Sequence, residues 1–166
     1  MSTSEFLERV QSSLQPQIIA SKVYVGELTI TVSPNDLYLV MKQLKEEFGF
    51  NYFVDIVTVD HFREEKRFEV NYNIVNLEQG KRLRVKTFVE EDNPVLESVV
   101  SIWPAANWHE REAYDMMGIR FQNHPDLRRM YMPEDFEYFP LRKEFPLIGI
   151  PGSIQMPEKD PPKEYK

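Results

Sequence analysis

The stretch SPNDLYLVMKQLKEEFGFNYFVDIVTVD, residues 33–60, decides the fold because it sets an amphipathic helix directly before a strand. Ser33 suits a helix N-cap, Pro34 suits the first helical position, and Gly49 can adopt the left-handed conformation that ends a helix. Between them, apolar residues recur at helical spacing on one face: Leu37, Val40, Met41, Leu44 and Phe48. Residues 52–60 are apolar on both faces, which predicts a central strand.

The regions around this stretch extend the predicted sheet. Residues 67–76 and 81–90 alternate polar and apolar positions, and the short loops between the strands favour antiparallel neighbours. Upstream, residues 22–32 predict a hairpin that turns at Gly26. Residues 3–14 carry a narrow apolar stripe, which predicts the first helix.

Two more helices are predicted downstream of these strands. Asn93–Pro94 suits the start of a short helix through Val99. Asn107 suits the N-cap of the next helix, because Glu110 three residues later would complete a capping box. Gly118 then suits its C-terminal end.

Strands and helices come in groups rather than in strict alternation, which predicts an α+β fold. We expect a two-layer sandwich, with a largely antiparallel mixed sheet of about five strands and helices on one face. The other face is open or covered by partners. Residues 1–104 form the predicted platform domain, and residues 105–132 form a signature helix and turn packed on it. Residues 133–166 hold seven of the twelve prolines and predict an extended arm that wraps a partner.

Composition narrows the possible functions. The 166 residues suit a single domain, and no apolar run is long enough to cross a bilayer. The net charge of −7 disfavours nucleic acid as a partner. The absence of cysteine excludes disulfides, thiolate nucleophiles and ordinary iron–sulfur clusters on this chain. The first residues lack the pattern of a secretory signal, so we expect the protein to stay where it is made.

The stretch WHEREAYDMMGIRFQNHPDLRRMYMPEDFEYFPLRKEFP, residues 108–146, is as dense in polar groups as an active site. His109 lacks the second histidine that a helical zinc site needs four residues later, and the chain has no phosphate-binding glycine loop. Glu110 and Glu112 point about 200° apart on a helix, which disfavours a pair of catalytic carboxylates. The alternative is an acid–base hydrolase using Glu110 or Glu112 with His124.

These charged residues also have a purely structural interpretation, without catalysis. Arg111 and Asp115 are four residues apart and are expected to form an ion pair on the helix. The planar forks of Arg128 and Arg129 suit carboxylates or carbonyl groups, either within the chain or across an interface. Asp115 and Asp126 are the intrachain candidates. Arginine and aromatic residues dominate binding hot spots, so this stretch predicts an assembly surface.

Residues 110–146 resemble the signature of the C subunit of the proton-pumping NADH–quinone oxidoreductase, respiratory complex I. The region before them fits the α+β domain of that family more loosely. The matching positions that we assign to the partner interface or family signature are Glu110, Arg111, Glu112, Tyr114, Asp115, Gly118, His124, Pro125, Asp126, Leu127, Arg128, Arg129, Pro140, Leu141, Arg142, Lys143 and Pro146.

The resemblance implies a non-catalytic assembly role, in which the chain packs mainly on the D subunit, with the B and I subunits nearby. It implies no cofactor on this chain, because FMN, the iron–sulfur clusters and quinone are bound by other subunits. The implied place is the hydrophilic arm on the cytoplasmic side of the bacterial inner membrane, with membrane association only through the complex. Related subunits also serve in membrane-bound hydrogenases and photosynthetic-type dehydrogenases, so those settings stay open.

Overall fold

The computed structural model describes residues 3–62, 64–147 and 149–150, and this part of the chain forms a mixed sheet covered by helices on one face. Its helices and strands are, in chain order, α1 Thr3–Ser13, β1 Ile18–Tyr24, β2 Glu27–Val32, α2 Leu37–Phe48, β3 Tyr52–Asp60, β4 Phe68–Asn76, β5 Lys81–Val89, β6 Val95–Glu97, α3 Ala106–Met117 and β7 Arg120–Gln122.

The main sheet has the strand order β1-β2-β5-β4-β3. Only the β2–β5 contact is parallel, and the other three contacts are antiparallel. Strands β6 and β7 form a separate parallel pair. The predicted α+β sandwich with a mixed sheet of five strands is therefore confirmed, as are the hairpin at Gly26 and the antiparallel β3–β4–β5 neighbours.

The core lies between the sheet and the helices. The apolar stripe predicted for α2 is fully buried, and Gly49 ends that helix with a left-handed φ of 69°. Phe6 of α1 packs against Phe48 and Phe50, with ring centroids 6.5 and 6.0 Å away. The indole N–H of Trp103 donates to the Phe50 carbonyl at 3.2 Å, which fixes the chain just before α3. Among the described residues, no helix is long and apolar enough to span a membrane.

Strand β3 was predicted to be central, and this was wrong, because it is an edge strand. Its inward residues Phe53 and Ile56 join the core, whereas Tyr52 and Val57 are 51% and 45% exposed on the other face. The apolar residues of β3 therefore lie on two different surfaces: one set is buried in the core, and the other set is exposed on the open face. The sequence pattern cannot distinguish this arrangement from a strand with covered faces.

Three predicted helix starts were also wrong. The helix expected from Asn93–Pro94 is instead strand β6, which pairs with β7 through bonds that include Arg120 N–H to the Pro94 carbonyl at 2.8 Å. Helix α3 begins at Ala106, so Asn107 lies inside it and forms no capping box with Glu110. Helix α2 likewise begins at Leu37, and the Ser33 hydroxyl accepts from Asn35 N–H in the turn before it.

The segment after β7 has no regular helix or strand through residue 147. It runs back over the C-terminal end of α3 and then reaches the end of strands β3 and β4, where Lys143 N–H donates to Asp60 at 2.8 Å. We call residues 128–147 the C-terminal segment. The remainder of the predicted arm, residues 151–166, lies outside the described residues.

Candidate functional site

A buried acid–imidazole pair links α3 to the turn after β7. The side chains of Glu110 and His124 are fully enclosed, and Glu110 Oε2 lies 4.0 Å from His124 Nε2. The Glu110 carboxylate accepts from the Ser98 hydroxyl at 2.6 Å and from Val99 N–H at 2.7 Å. Glu110 therefore joins α3 to the chain after β6, rather than capping its own helix.

The hydrogen bonds of His124 fix its tautomer. Nδ1 accepts from Asp126 N–H at 3.0 Å, so the ring proton of the neutral imidazole lies on Nε2, which faces the Asn107 carbonyl at 3.2 Å. Burial lowers the pKa of His124, and the Asn107 carbonyl opposes that shift. Burial also raises the pKa of Glu110 to about 7, against the opposing effect of its two donors. Glu110 and His124 therefore stabilise the fold through internal hydrogen bonds.

Asp115 anchors the start of the C-terminal segment. Its Oδ2 accepts from three successive backbone N–H groups, those of Met130, Tyr131 and Met132, at 2.7–3.1 Å. Its Oδ1 accepts from Arg129 Nη1 at 2.8 Å. Burial alone would raise the pKa of Asp115, but these donors outweigh it and hold the pKa below its ordinary value. The buried Asp115 carboxylate therefore fixes the backbone of the turn at residues 130–132.

The two arginines next to this carboxylate bind main-chain oxygens of the same segment. Arg111 donates to the carbonyls of Arg128 and Arg129 at 3.1 and 3.2 Å, and its guanidinium lies 4.8 Å from the Trp108 ring centre. Arg129 reaches further and donates to the Tyr138 carbonyl at 3.3 Å. The predicted Arg111–Asp115 ion pair was wrong, because each member binds the C-terminal segment instead of the other.

A second anchor lies at the end of the sheet, and sequence reasoning missed it. Arg67 donates two hydrogen bonds to the Asp60 carboxylate, at 2.8 and 2.9 Å, and also donates to Glu91 and Glu144. Arg67 holds the pKa of Asp60 well below its ordinary value. Asp60 is the last residue of β3, and Arg67 directly precedes β4. Because these two strands are antiparallel neighbours, the sequence could have predicted that the two residues meet at the same end of the sheet.

The end of α3 is fitted closely to the segment that crosses it. Gly118 has a φ of 78°, and a Cβ there would lie 2.7 Å from both Phe139 and Arg142. Arg142 donates to the Met117 carbonyl at 2.8 Å, and Leu141 N–H donates to the Met116 carbonyl at 3.2 Å. The signature residues Gly118, Leu141 and Arg142 therefore meet in one contact.

Large apolar side chains project from this anchored region. We define the aromatic patch as four residues that lie on α3 or on the segment bonded to it, with their exposed fractions: Trp108 61%, Tyr131 61%, Tyr138 48% and Leu141 56%. Glu112, Glu134, Asp135 and Glu137 are exposed beside them in the sequence. Exposed aromatic residues on a backbone fixed by buried charges are typical of a protein-binding surface.

The structure also shows where the remaining signature residues lie. Arg128 is exposed and pairs with Asp126 at 2.9 Å, so both Arg128 and Arg129 find carboxylates within the chain. Tyr114 and Leu127 line a shallow cavity of about 310 Å³ beside β7. The other signature residues are Pro125 in the His124 turn, half-buried Pro140, Lys143 held by Asp60, and Pro146, whose carbonyl accepts from Gly149 N–H at 2.9 Å.

Comparison with known proteins points to one family. The family model for the respiratory-chain NADH dehydrogenase 30 kDa subunit matches residues 30–150. The C subunit of the NADH-quinone oxidoreductase of Geotalea uraniireducens is 40% identical over 155 residues, which cover 93% of this chain and 90% of that protein.

Solved structures share the fold. The trypsin-resistant fragment of Nqo5 superposes with a TM-score of 0.66 at 31% identity, covering 76% of this chain and all of the fragment. A chain of the membrane-bound sulfane sulfur reductase, an archaeal respiratory membrane complex, superposes with a TM-score of 0.76 over 95% of this chain and 97% of its own length. At 23% identity that second likeness concerns the fold alone.

Proposed function

This chain belongs to the family of the 30 kDa subunit of respiratory-chain NADH dehydrogenase, the C subunit of NADH-quinone oxidoreductase, and we propose that its role in that complex is structural. In this proposal the chain has no reaction centre of its own. It supports electron transfer from NADH to quinone through FMN and iron–sulfur clusters on other subunits, coupled to proton translocation.

The buried acid–imidazole pair favours this role over an acid–base hydrolase. Glu110 and His124 do come together, but both side chains are enclosed and their polar atoms are committed to internal hydrogen bonds. Glu112, the other proposed carboxylate, is exposed. A general base needs hydrogen-bonding reach to its substrate, and an enclosed carboxylate has none.

The aromatic patch is the observation that carries the proposal. Its four side chains are about half exposed or more, yet Asp115, Arg111 and Arg129 fix the backbone from which two of them, Tyr131 and Tyr138, project. A surface ordered before binding loses little conformational entropy when a partner docks. We assign the patch to the main partner, the D subunit, with the B and I subunits as further neighbours.

Rigid docking matters because electron transfer and quinone placement depend on fixed distances. A displacement of about 1 Å at a reacting centre can lower a rate roughly 100-fold. In the proposed arrangement the chain lies on the cytoplasmic side of the membrane and touches the membrane only through the complex. Its removal is expected to lower quinone reduction although the chain carries no electrons.

The proposal is tested by weakening the aromatic patch in the native host. Tagged chains carrying Trp108→Ala with Tyr131→Ala are expected to recover far less of the complex, since hot-spot aromatics contribute about 2 kcal/mol or more each, roughly a 30-fold effect on affinity. Quinone reduction by the membranes should fall in parallel. Leu39→Ala, which shortens an exposed apolar residue on α2, is the matched control and should assemble normally. Normal recovery of the complex with the double variant would contradict the proposed docking surface.

A further inference from the structure

The face of the sheet that turns away from the helices carries a charge opposite to that of the whole chain. The strand registers place four cations there, Lys22, Arg82, Arg84 and Lys86, with three anions, Glu27, Asp55 and Glu69. The open face therefore has one net positive charge on a chain of net charge −7. The cations on this face can pair locally with carboxylates of a partner.

Two of the three anions already accept hydrogen bonds within the sheet, and one of these donors is a cation. Glu69 accepts from Lys86 Nζ at 2.8 Å and from Asn71 at 2.9 Å. Asp55 accepts from Asn73 at 2.6 Å. By contrast, Arg82 is loosely paired with Glu27 at 3.9 Å, and its side chain is 74% exposed. Lys86 is therefore paired with Glu69, whereas Arg82 and Arg84 of β5 remain exposed.

A hydrogen-bond relay orients one of these arginines. Asn73 donates to Asp55 and accepts from Arg84 Nε at 2.9 Å, so Arg84 is held by two neighbouring strands. Arg82 lies two residues away on the same face of β5. Adjacent guanidinium groups with planar forks suit carboxylates, which they bind with paired hydrogen bonds.

A groove with apolar and charged walls lies beside the arginines. It has a volume of about 460 Å³. Tyr52, Val54, Val75 and Leu77 form apolar parts of its wall, and Arg82, Arg84, Glu27 and Asp55 are the charged residues that line it. On the same edge strand, Val57 and Val59 expose 45% and 37% of their surface. An edge strand with exposed apolar residues tends to be covered by another polypeptide.

We propose that the open face is a second docking surface, which receives an acidic segment of another subunit. Its carboxylates bind Arg82 and Arg84, and an adjacent apolar side chain enters the groove at Tyr52. The aromatic patch belongs to α3 and the C-terminal segment, so the chain would bridge two neighbours. This inference rests on the proposed function only in that the chain works inside a complex.

Zero-length carbodiimide cross-linking of the complex purified from native membranes tests the chemistry of the partner. This reagent joins lysine amines to carboxylates, so an acidic partner is expected to be cross-linked to Lys22 or Lys86. Mass spectrometry identifies the joined peptides. Cross-links from Glu27 to lysines of a partner would show a basic partner and overturn the proposal, as would the absence of any cross-link between this face and another subunit.

Hydroxyl-radical footprinting separates this proposal from the assembly role. In the complex, both Tyr52 on the open face and Tyr131 on the aromatic patch are expected to be protected relative to the free chain. If Tyr131 is protected and Tyr52 reacts as in the free chain, the open-face proposal alone fails. If both tyrosines react freely, the proposed docking of the aromatic patch fails as well.

Charge reversal gives the corresponding functional test. The double variant Arg82→Glu with Arg84→Glu is expected to fold normally but to recover roughly tenfold less of its cross-linked partner, since like charges would then face each other. Lys42→Glu, an exposed cation with a glutamate 3.9 Å away on α2, is the matched control and should behave as wild type. Binding of the free chain to phosphatidylglycerol vesicles that the double variant abolishes, with partner recovery unchanged, would identify an anionic membrane surface instead and overturn the proposal.

Discussion

Glu110 shows how one residue couples protonation to the stability of the fold. Its carboxyl group is enclosed by elements that carry other titratable groups: Tyr72 from β4, Glu97 from β6, Arg111 from α3 and His124 from the turn after β7. Burial raises the pKa of Glu110 from 4.5 to about 7, so the folded protein holds this proton more tightly than the unfolded chain. The stabilisation is fully present below pH 4.5 and is lost as the pH rises through 7.

Glu110→Gln is therefore expected to change the pH dependence of unfolding. The amide keeps a similar shape but does not titrate, so the variant should gain stability relative to wild type as the pH rises from 5 to 7.5. The slope is at most about 1.4 kcal/mol per pH unit for one proton. Chemical denaturation at a series of pH values measures it. His124 acts in the opposite sense, because its lowered pKa gives a contribution that is lost as the pH falls below 6.5.

Glu112→Gln is the control for this pH experiment. Glu112 lies two residues further along the same helix but is exposed, so its variant should follow the wild-type pH profile. A constant free-energy difference between Glu110→Gln and wild type across this pH range would contradict the assigned ionisation.

Single residues of the site were only partly predictable from sequence. The Arg128–Asp126 pair was foreseen as an alternative because the two residues are neighbours along the chain. The Arg111–Asp115 pair had ideal helical spacing, yet Asp115 binds Arg129 and three backbone N–H groups instead. Those N–H groups belong to a turn whose shape depends on tertiary packing, so no local spacing rule identifies them.

At the scale of elements, the end of α3 is the contact most sensitive to added volume. Gly118→Ala would strain a left-handed position and set a methyl group 2.7 Å from Phe139 and Arg142. The ends of the Phe139 and Arg142 side chains must then move aside. Arg142 is expected to lose its bond to the Met117 carbonyl, so the C-terminal segment should be held less tightly on α3. Faster tryptic cleavage after Arg142 and Lys143 measures the displacement.

Gly80→Ala separates conformational strain from this steric clash. Gly80 also has a positive φ, 62°, but nothing lies within 4 Å of its added Cβ. Both variants carry the left-handed strain of about 1–2 kcal/mol. Gly118→Ala is expected to lose a further 1–3 kcal/mol, roughly, from overpacking. Equal stability losses in the two variants would show that the steric clash at the end of α3 does not lower stability beyond the backbone strain.

Elements with strong local periodicity were predicted well, and elements defined by distant pairing were not. Helix α2 was recognised because five apolar residues share one face, and the β1–β2 hairpin because its turn is local. Strand β6 has three residues and exists through pairing with β7, some 25 positions later, so its local pattern was mistaken for a helix. The edge position of β3 likewise depends on strand order, which alternation does not encode.

At the scale of the whole molecule, the C-terminal segment ties helix α3 to the end of the sheet. Asp115 and Arg111 hold its beginning on α3, whereas Asp60 and Arg67 hold residues 143–144 at the ends of β3 and β4. Phe136, Tyr138 and Phe145 also pack on one another, with ring centres 5.7–6.2 Å apart. A segment held at two distant points is expected to unfold together with the domain rather than before it.

Arg67→Met tests whether this link stabilises the whole molecule. Methionine keeps much of the apolar stem but leaves the buried Asp60 carboxylate without its cation, which is expected to lower the unfolding free energy by about 3–5 kcal/mol. Hydrogen exchange should also quicken at Lys143 N–H, because its acceptor Asp60 is no longer held in place. Arg82→Met is the control, since its exposed ion pair contributes at most about 1 kcal/mol. If Lys143 exchanged no faster in Arg67→Met than in Arg82→Met, the sheet-end anchor would not hold the C-terminal segment.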